Sequence, residues 1–122
     1  MSGLSFNAEE FLERLTEITK ANLTNSQFGV SELAREMGMS RSNLHLRVKK
    51  AAKKSVSQFI NQVRLEKAME LLSQASLTVS EVCWETGFGS VSYFIKCFHD
   101  YYGFPPGEVG NREIENNNLS SI

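Results

Sequence analysis

The chain has 122 residues, with 13 lysines and arginines against 14 aspartates and glutamates, a formal net charge of -1, and 41% hydrophobic residues. That length holds one compact domain or two very small lobes, and the apolar content is enough for a core in either case. The charge balance excludes a uniformly basic surface, no apolar run reaches the length of a membrane span, and Cys83 and Cys97 have no second Cys or His at metal-ligand spacing.

Helical periodicity runs along the chain and no alternating stretch of strand length occurs, so the predicted fold class is all-α. About seven helices are expected, in two helix-turn-helix subdomains joined by a long bridging helix. The start at Met1 lacks the basic and apolar parts of a signal peptide. Asn7 and Glu10 form a capping pair for a first helix that reaches about Asn22 and carries Phe11, Leu12, Leu15 and Ile18 on one stripe. Ser31 to Met37 and Arg41 to Ala52 follow as two helices around a short turn, with Ser40 as N-cap of the second. Ser55 and Gln58 then form a capping box for a long helix through Phe59, Ile60, Val63, Leu65, Ala68, Leu71 and Leu72. Thr78 and Glu81 make a second box, and a further helix is expected from about Val91 to Tyr102, where Gly103 stops it. Pro105 and Pro106 suit the first turn of a last short helix, and the polar tail is expected to fray. In residue numbers, the first lobe covers about 8–54, the bridging helix about 56–74, the second lobe about 78–110 and the tail 111–122.

The organising feature is a repeat. Val30, Ser31, Glu32, Glu36 and Gly38 return as Val79, Ser80, Glu81, Glu85 and Gly87, five identities in nine positions at an offset of 49. In each copy Leu33 or Val82 faces the partner helix, Ala34 or Cys83 keeps the helices close, and Gly38 or Gly87 suits a site of positive φ. Met39 or Phe88 then plugs a small core. A short helix, a glycine turn and a second helix is the unit that places its second helix in a DNA major groove. Two such units on one chain can read two groove segments at once. Charge is also distributed to match. Arg41, Arg47, Lys49, Lys50, Lys53 and Lys54 put six positive charges and no negative one into fourteen residues, while acids gather from Glu9 to Glu17 and in the tail. The local patch, not the net charge, sets the field a phosphate meets.

On these residues the chain resembles the AraC/XylS-type bacterial transcription regulators, from about Phe11 to Val109. The resemblance is carried by Ala34, Gly38, Met39 and Ser40, by Phe59, by Arg64, Leu65, Ala68, Leu71 and Leu72, and by Gly87, Phe88, Ser92, Tyr93, Phe94, Phe98, Gly103 and Pro106. It implies a DNA-binding domain whose two units dock in successive major grooves. The stretch from Met39 to His45 looks most like the output domains of hybrid two-component regulators, in which a membrane-spanning sensor kinase and this domain share one chain. The present chain would then be a C-terminal piece at the cytoplasmic face of the membrane.

Helical geometry selects the outward residues. Leu44 and Val48 mark the buried side of the first recognition helix, which leaves Ser42, Leu46, Lys49, Lys50 and Lys53 opposite, with His45 on the flank. The resemblance implies base contacts at Ser42, His45 and Leu46 and phosphate contacts at Lys49 and Lys50, with Arg41 beside them. Leu46 stands where the family usually has arginine. It can touch a thymine methyl, or it can pack under a neighbour. In the second recognition helix Phe94, Phe98 and Tyr101 are expected to form the buried stripe. That places Ser92, Lys96 and His99 outside, with Ile95 and Val91 beside them. Asp100 stands where the family often has a basic residue, so this half should hold DNA less tightly unless Lys96 or Arg112 neutralises it. The family's closing Tyr-Arg is replaced by Val109 and Gly110, which leaves the last helix open.

The expected function is sequence-specific binding of double-stranded DNA in transcription regulation. RNA polymerase is a candidate partner, and a dimer stays open for the full-length regulator. The alternative is a helical protein-interaction module that binds a transcription partner, with the basic patch only tuning solubility. Neither reading involves an enzyme, a cofactor, a metal or membrane contact by this domain, because no motif for phosphate cradling, metal ligation or nucleophilic catalysis is present. Reduced cysteines in apolar helical positions suit the cytoplasm.

Overall fold

The computed structural model describes residues 7–109; the chain start at Met1, Gly110, Arg112 and the tail 111–122 lie outside the described residues. The elements are α1 (Ala8–Ala21), α2 (Val30–Met37), α3 (Arg41–Ala52), α4 (Val56–Ser73), α5 (Val79–Glu85), α6 (Val91–Tyr102) and a 3-10 turn, Pro106–Glu108. They divide into two units, residues 7–23 with 27–63 and residues 24–26 with 64–109. Helix α4 contributes 56–63 to the first unit and 64–73 to the second.

The first unit is capped as its sequence dictates. The Asn7 side chain accepts from the Glu10 amide at 3.1 Å, and Ser55 and Gln58 exchange bonds of 2.9 and 3.1 Å at the start of α4. Each such cap is worth about 1 kcal/mol. Phe11 and Leu15 of α1, Leu33 and Ala34 of α2, Leu44 and Val48 of α3, and Val56, Phe59, Ile60 and Val63 of α4 form one buried cluster, with Leu23 and Phe28. Leu12 and Ile18 lie half-buried against it. Thr19, a polar residue that periodicity does not single out, is also buried, its hydroxyl donating to the Leu15 carbonyl at 2.8 Å. A hydroxyl satisfied by its own helix can enter a core without an unpaired polar group.

The second unit closes around aromatic rings. Leu65, Ala68, Leu72, Val82, Cys83, Phe88, Phe94, Phe98 and Val109 are buried together. Phe94 and Phe98 are fully buried, and Phe98 lies 4.6 Å from Tyr102 and 5.9 Å from Phe104 by ring centroids. Here the expected stripe is corrected. Tyr101 is 45% exposed, and Tyr102 takes the inner place, donating its hydroxyl to the Leu65 carbonyl at 3.3 Å. The cause is the reversal at Gly103, which returns Phe104 to the core on the Tyr102 side. Burial and its neighbours Tyr101 and Glu66 push the Tyr102 phenol up to about 12. Arg64 is the other departure from a polar-out pattern. It is 7% exposed and its guanidinium donates to the Asn25 carbonyl at 3.1 Å, tying residues 24–26 to this unit. Of the cysteines, Cys83 is buried and Cys97 half-buried against the same core.

The repeat reappears as one backbone motif used twice. Gly38 and Gly87 hold φ of 71° and 76°. Their amides donate to Arg35 and Trp84, and the next amides, of Met39 and Phe88, donate to Ala34 and Cys83. This paired arrangement satisfies the last carbonyls of a helix and requires the left-handed residue that glycine supplies cheaply. The side chains of Met39 and Phe88 then pack into their own cores, as their place after the glycine requires. At the other end of the short helix the glutamates reach back in both copies: Glu32 accepts from the Gly29 amide and Glu81 from the Thr78 amide, each at 2.9 Å. Helix α2 therefore begins at Val30, one residue before the sequence expectation.

Candidate nucleic-acid interface

Both second helices begin on a serine cap. Ser40 accepts from the Asn43 amide at 3.1 Å and Ser90 from the Tyr93 amide at 3.3 Å. These serines are 50 apart, whereas the preceding glycines are 49 apart, so the second turn contains one extra residue. That residue is Gly89. Its φ is 72°, and a Cβ built there would lie 3.3 Å from Cβ of Ser26, which favours glycine twice over. From the caps onward the two helices correspond at offset 50: Leu44 with Phe94, Val48 with Phe98, and Lys53 with Gly103.

On α3 the inward side is Leu44 and Val48, both fully buried. Arg41, Ser42, His45, Leu46, Lys49 and Lys50 are exposed, as their register requires, and Lys53 is exposed as well. Leu46 is 70% exposed, so packing under a neighbour does not describe it. The exposed face spans the helix length without an acidic side chain, and no ion pair engages Arg41, Lys49 or Lys53 among the described residues. Lys53 itself lies one residue past the helix, in left-handed backbone. Its exposure comes from that turn and not from the helical face. The sixth cation, Lys54, donates to Gln62 Oε1 and is half-buried.

On α6 the outward residues Ser92, Ile95, Lys96 and His99 are exposed around the buried Phe94 and Phe98. The cation is not alone there. Lys96 Nζ lies 3.4 Å from Asp100 Oδ2, one helical turn on, with both side chains well exposed. Such a pair is worth little to stability but cancels much of the field that Lys96 would present.

The structure also exposes apolar side chains that periodicity does not single out, notably Trp84 at 52% and Tyr93. The repeat holds the signal that could have found them. Trp84 occupies the place of Arg35 and Tyr93 the place of Asn43, and both of those counterparts are polar and exposed. No helix among the described residues is long and apolar enough to cross a membrane.

Known proteins share this arrangement. A family profile described as a helix-turn-helix domain matches residues 33–112. The chain is 32% identical over 107 residues to histidine kinase P4 of Formosa agariphila, an alignment covering 88% of the chain and 8% of the kinase. It is 32% identical over 123 residues to the Msm operon regulatory protein of Streptococcus mutans, covering 89% of the chain and 44% of that protein. The chain thus spans less than half the length of these curated relatives. Among solved structures, a DNA-binding transcriptional dual regulator from Escherichia coli K-12 superposes with a TM-score of 0.78 at 28% identity, covering 92% of this chain and 96% of that one. The DNA-binding domain of the global transcriptional factor AdpA, in complex with a target DNA, superposes with a TM-score of 0.71 at 26% identity, covering 79% and 86%.

Proposed function

The chain belongs to the AraC-type helix-turn-helix family, and from that premise we propose that it binds double-stranded DNA sequence-specifically in the control of transcription. The observation that carries this is the acid-free exposed face of α3 opposite Leu44 and Val48. Ser42, His45 and Leu46 stand at the base edges, and Arg41, Lys49, Lys50 and Lys53 meet phosphate. From α6, Ser92 and Ile95 take the base edges while Lys96 and His99 face phosphate. The two recognition helices enter successive major grooves about 34 Å apart, the spacing of one helical turn. The AdpA complex with DNA and the names of the relatives support this reading.

The finer assignment is that the domain is a cytoplasmic, non-enzymatic anchor that positions RNA polymerase at a promoter. The similarity to a much longer histidine kinase supports a parent regulator of the hybrid two-component kind. In that parent a dimer would occupy direct repeats. Exposed Trp84 favours a second reading, a module that grips a protein partner through the second unit. Salt titration of binding to labelled duplex separates them. Contact with six to eight phosphates gives a log-log slope of about -0.9 per phosphate, and a flat slope on duplex would remove the DNA reading. A half-turn insertion between the contacted segments should abolish tight binding; equal affinity would rule out simultaneous docking.

A further inference from the structure

The repeat extends back into the helix before each glycine turn, and there it breaks at one buried place. At the same offset of 49, Phe11, Thr19 and Leu23 correspond to Ile60, Ala68 and Leu72, and every one of these is buried. Leu15, fully buried in the first unit, corresponds to Arg64, which is 7% exposed in the second. A guanidinium in a core position carries a desolvation cost that leucine does not. Burial accordingly lowers its pKa from the ordinary arginine value. The first unit shows that the scaffold accepts leucine at this place, so arginine here points to a use beyond packing.

Its contacts supply that use. The guanidinium donates to the Asn25 carbonyl at 3.1 Å, and Tyr93 of α6 lies close enough for its phenol to act on the same charge. Residues 24–26 belong to the second unit, although α1 and α2, which flank them in the chain, belong to the first. Ser26, next to Asn25, closes on the turn before α6, where a Cβ on Gly89 would lie 3.3 Å from Cβ of Ser26. Ser90 follows directly and caps α6 by accepting from the Tyr93 amide at 3.3 Å. This turn is one residue longer than its counterpart and holds two left-handed glycines, Gly87 and Gly89, so its own chain defines the start of α6 less tightly. Resting on the DNA reading above, we propose that Arg64 is a positioning residue: by clasping segment 24–26 beside the Gly89 turn it sets how α6 enters the major groove.

The test uses the whole chain as wild type, Arg64→Leu and Arg64→Lys, with thermal melts, binding curves and hydroxyl-radical footprints on a duplex that the wild type selects from random sequence. Arg64→Leu should raise Kd about 5- to 30-fold, the order of losing one phosphate contact or one base contact. Protection should fade in one contacted segment only, the same one that Lys96→Ala weakens. Tm should stay within about 4 °C of wild type, because exchanging a buried charge for an apolar side chain is often close to neutral. Arg64→Lys keeps a charge but offers a single ammonium in place of the fork, and should recover part of the affinity. If Arg64→Leu keeps the wild-type Kd and both protected segments, the clasp does not position α6 while the DNA reading stands. Equal loss of protection in both segments, or a Tm lower by more than about 10 °C, would make Arg64 a folding requirement and also overturns the inference. A wild type that selects no duplex removes the DNA reading and the positioning role with it.

Discussion

Helices α3 and α6 are built alike and loaded differently. Each is 12 residues long, starts on a serine cap and ends in left-handed backbone. Each buries the side chains four and eight residues after its cap. Facing outward, Leu46 of α3 corresponds to Lys96 of α6, Lys49 to His99, and Lys50 to Asp100. One helix thus carries cations without acids, and the other pairs its lysine with an aspartate. The fold constrains the inward positions and the caps, while the outward positions are free to set what each helix grips. The two units keep one scaffold beneath different surfaces, so on the proposed interface the first unit is the stronger electrostatic contact.

The widest way to break this comparison is through the inward side chains, which differ in kind: Leu44 and Val48 on α3, Phe94 and Phe98 on α6. Phe98→Ala should cost about 3–5 kcal/mol, because the ring is fully buried and its loss leaves a large cavity. Val48→Ala, at the corresponding place, removes only two methyl groups and should cost about 1.5–3 kcal/mol. Urea unfolding of both variants measures this, and equal losses would show that the aromatic cluster is not what holds the second unit.

Affinity comes next. Lys49→Ala with Lys50→Ala should flatten the salt slope by about 1.8 and weaken binding to all duplex sequences on the order of 60-fold near 0.1 M salt. Lys96→Ala should cost at most about 8-fold, since Asp100 already offsets that charge. Binding curves at several salt concentrations decide it. A larger loss from Lys96→Ala than from the double change would reverse the proposed asymmetry.

Specificity sharpens the same contrast at Leu46, where the second helix has lysine. Leu46→Arg should leave stability within about 0.5 kcal/mol, because the site is 70% exposed. It should shift preference at one base pair toward guanine by about 1–3 kcal/mol, the worth of a bidentate arginine contact. Binding to duplexes with all four bases at each site position reads the shift, with thermal melts alongside. A melt many degrees lower with unchanged base preference would give Leu46 a packing role instead.

Much of this was legible in the sequence because local rules govern it. The caps at Asn7, Ser40, Ser55 and Thr78 and the glycine turns are short-range chemistry, and helical periodicity gave Leu44 with Val48 and Phe94 with Phe98 as the inward sides of α3 and α6. What escaped depends on tertiary context. Tyr101 lies on the buried side of an ideal helix, yet the reversal at Gly103 brings Phe104 to Tyr102 and leaves Tyr101 outside. Burial of Arg64 depends on a carbonyl 39 residues away, which periodicity cannot supply. The extra residue Gly89 was hidden because the repeat looks continuous until the serine caps are compared. Lys53 fell on the predicted face by helical register, but it is exposed because the helix has already ended.

The smallest expected effect isolates the acid that separates the two helices. Asp100 sits one turn after Lys96, within ion-pair distance and exposed, so on the proposed interface it weakens α6 twice, by repelling phosphate and by holding the ammonium. Asp100→Asn keeps the shape of the side chain and removes only the charge. The lost surface pair should lower stability by no more than about 0.2–1 kcal/mol, in line with exposed pairs elsewhere. Binding to duplex should tighten about 2- to 8-fold near 0.1 M salt, and the salt slope should steepen by up to about 0.9, as one more cation becomes available to phosphate. The control is Lys96→Ala made on top of Asp100→Asn, which should now cost more than Lys96→Ala alone, because the lysine it removes is no longer neutralised. If Asp100→Asn leaves both affinity and slope unchanged, the acid does not screen the second helix, and the difference between the two units must come from the cations of α3 alone.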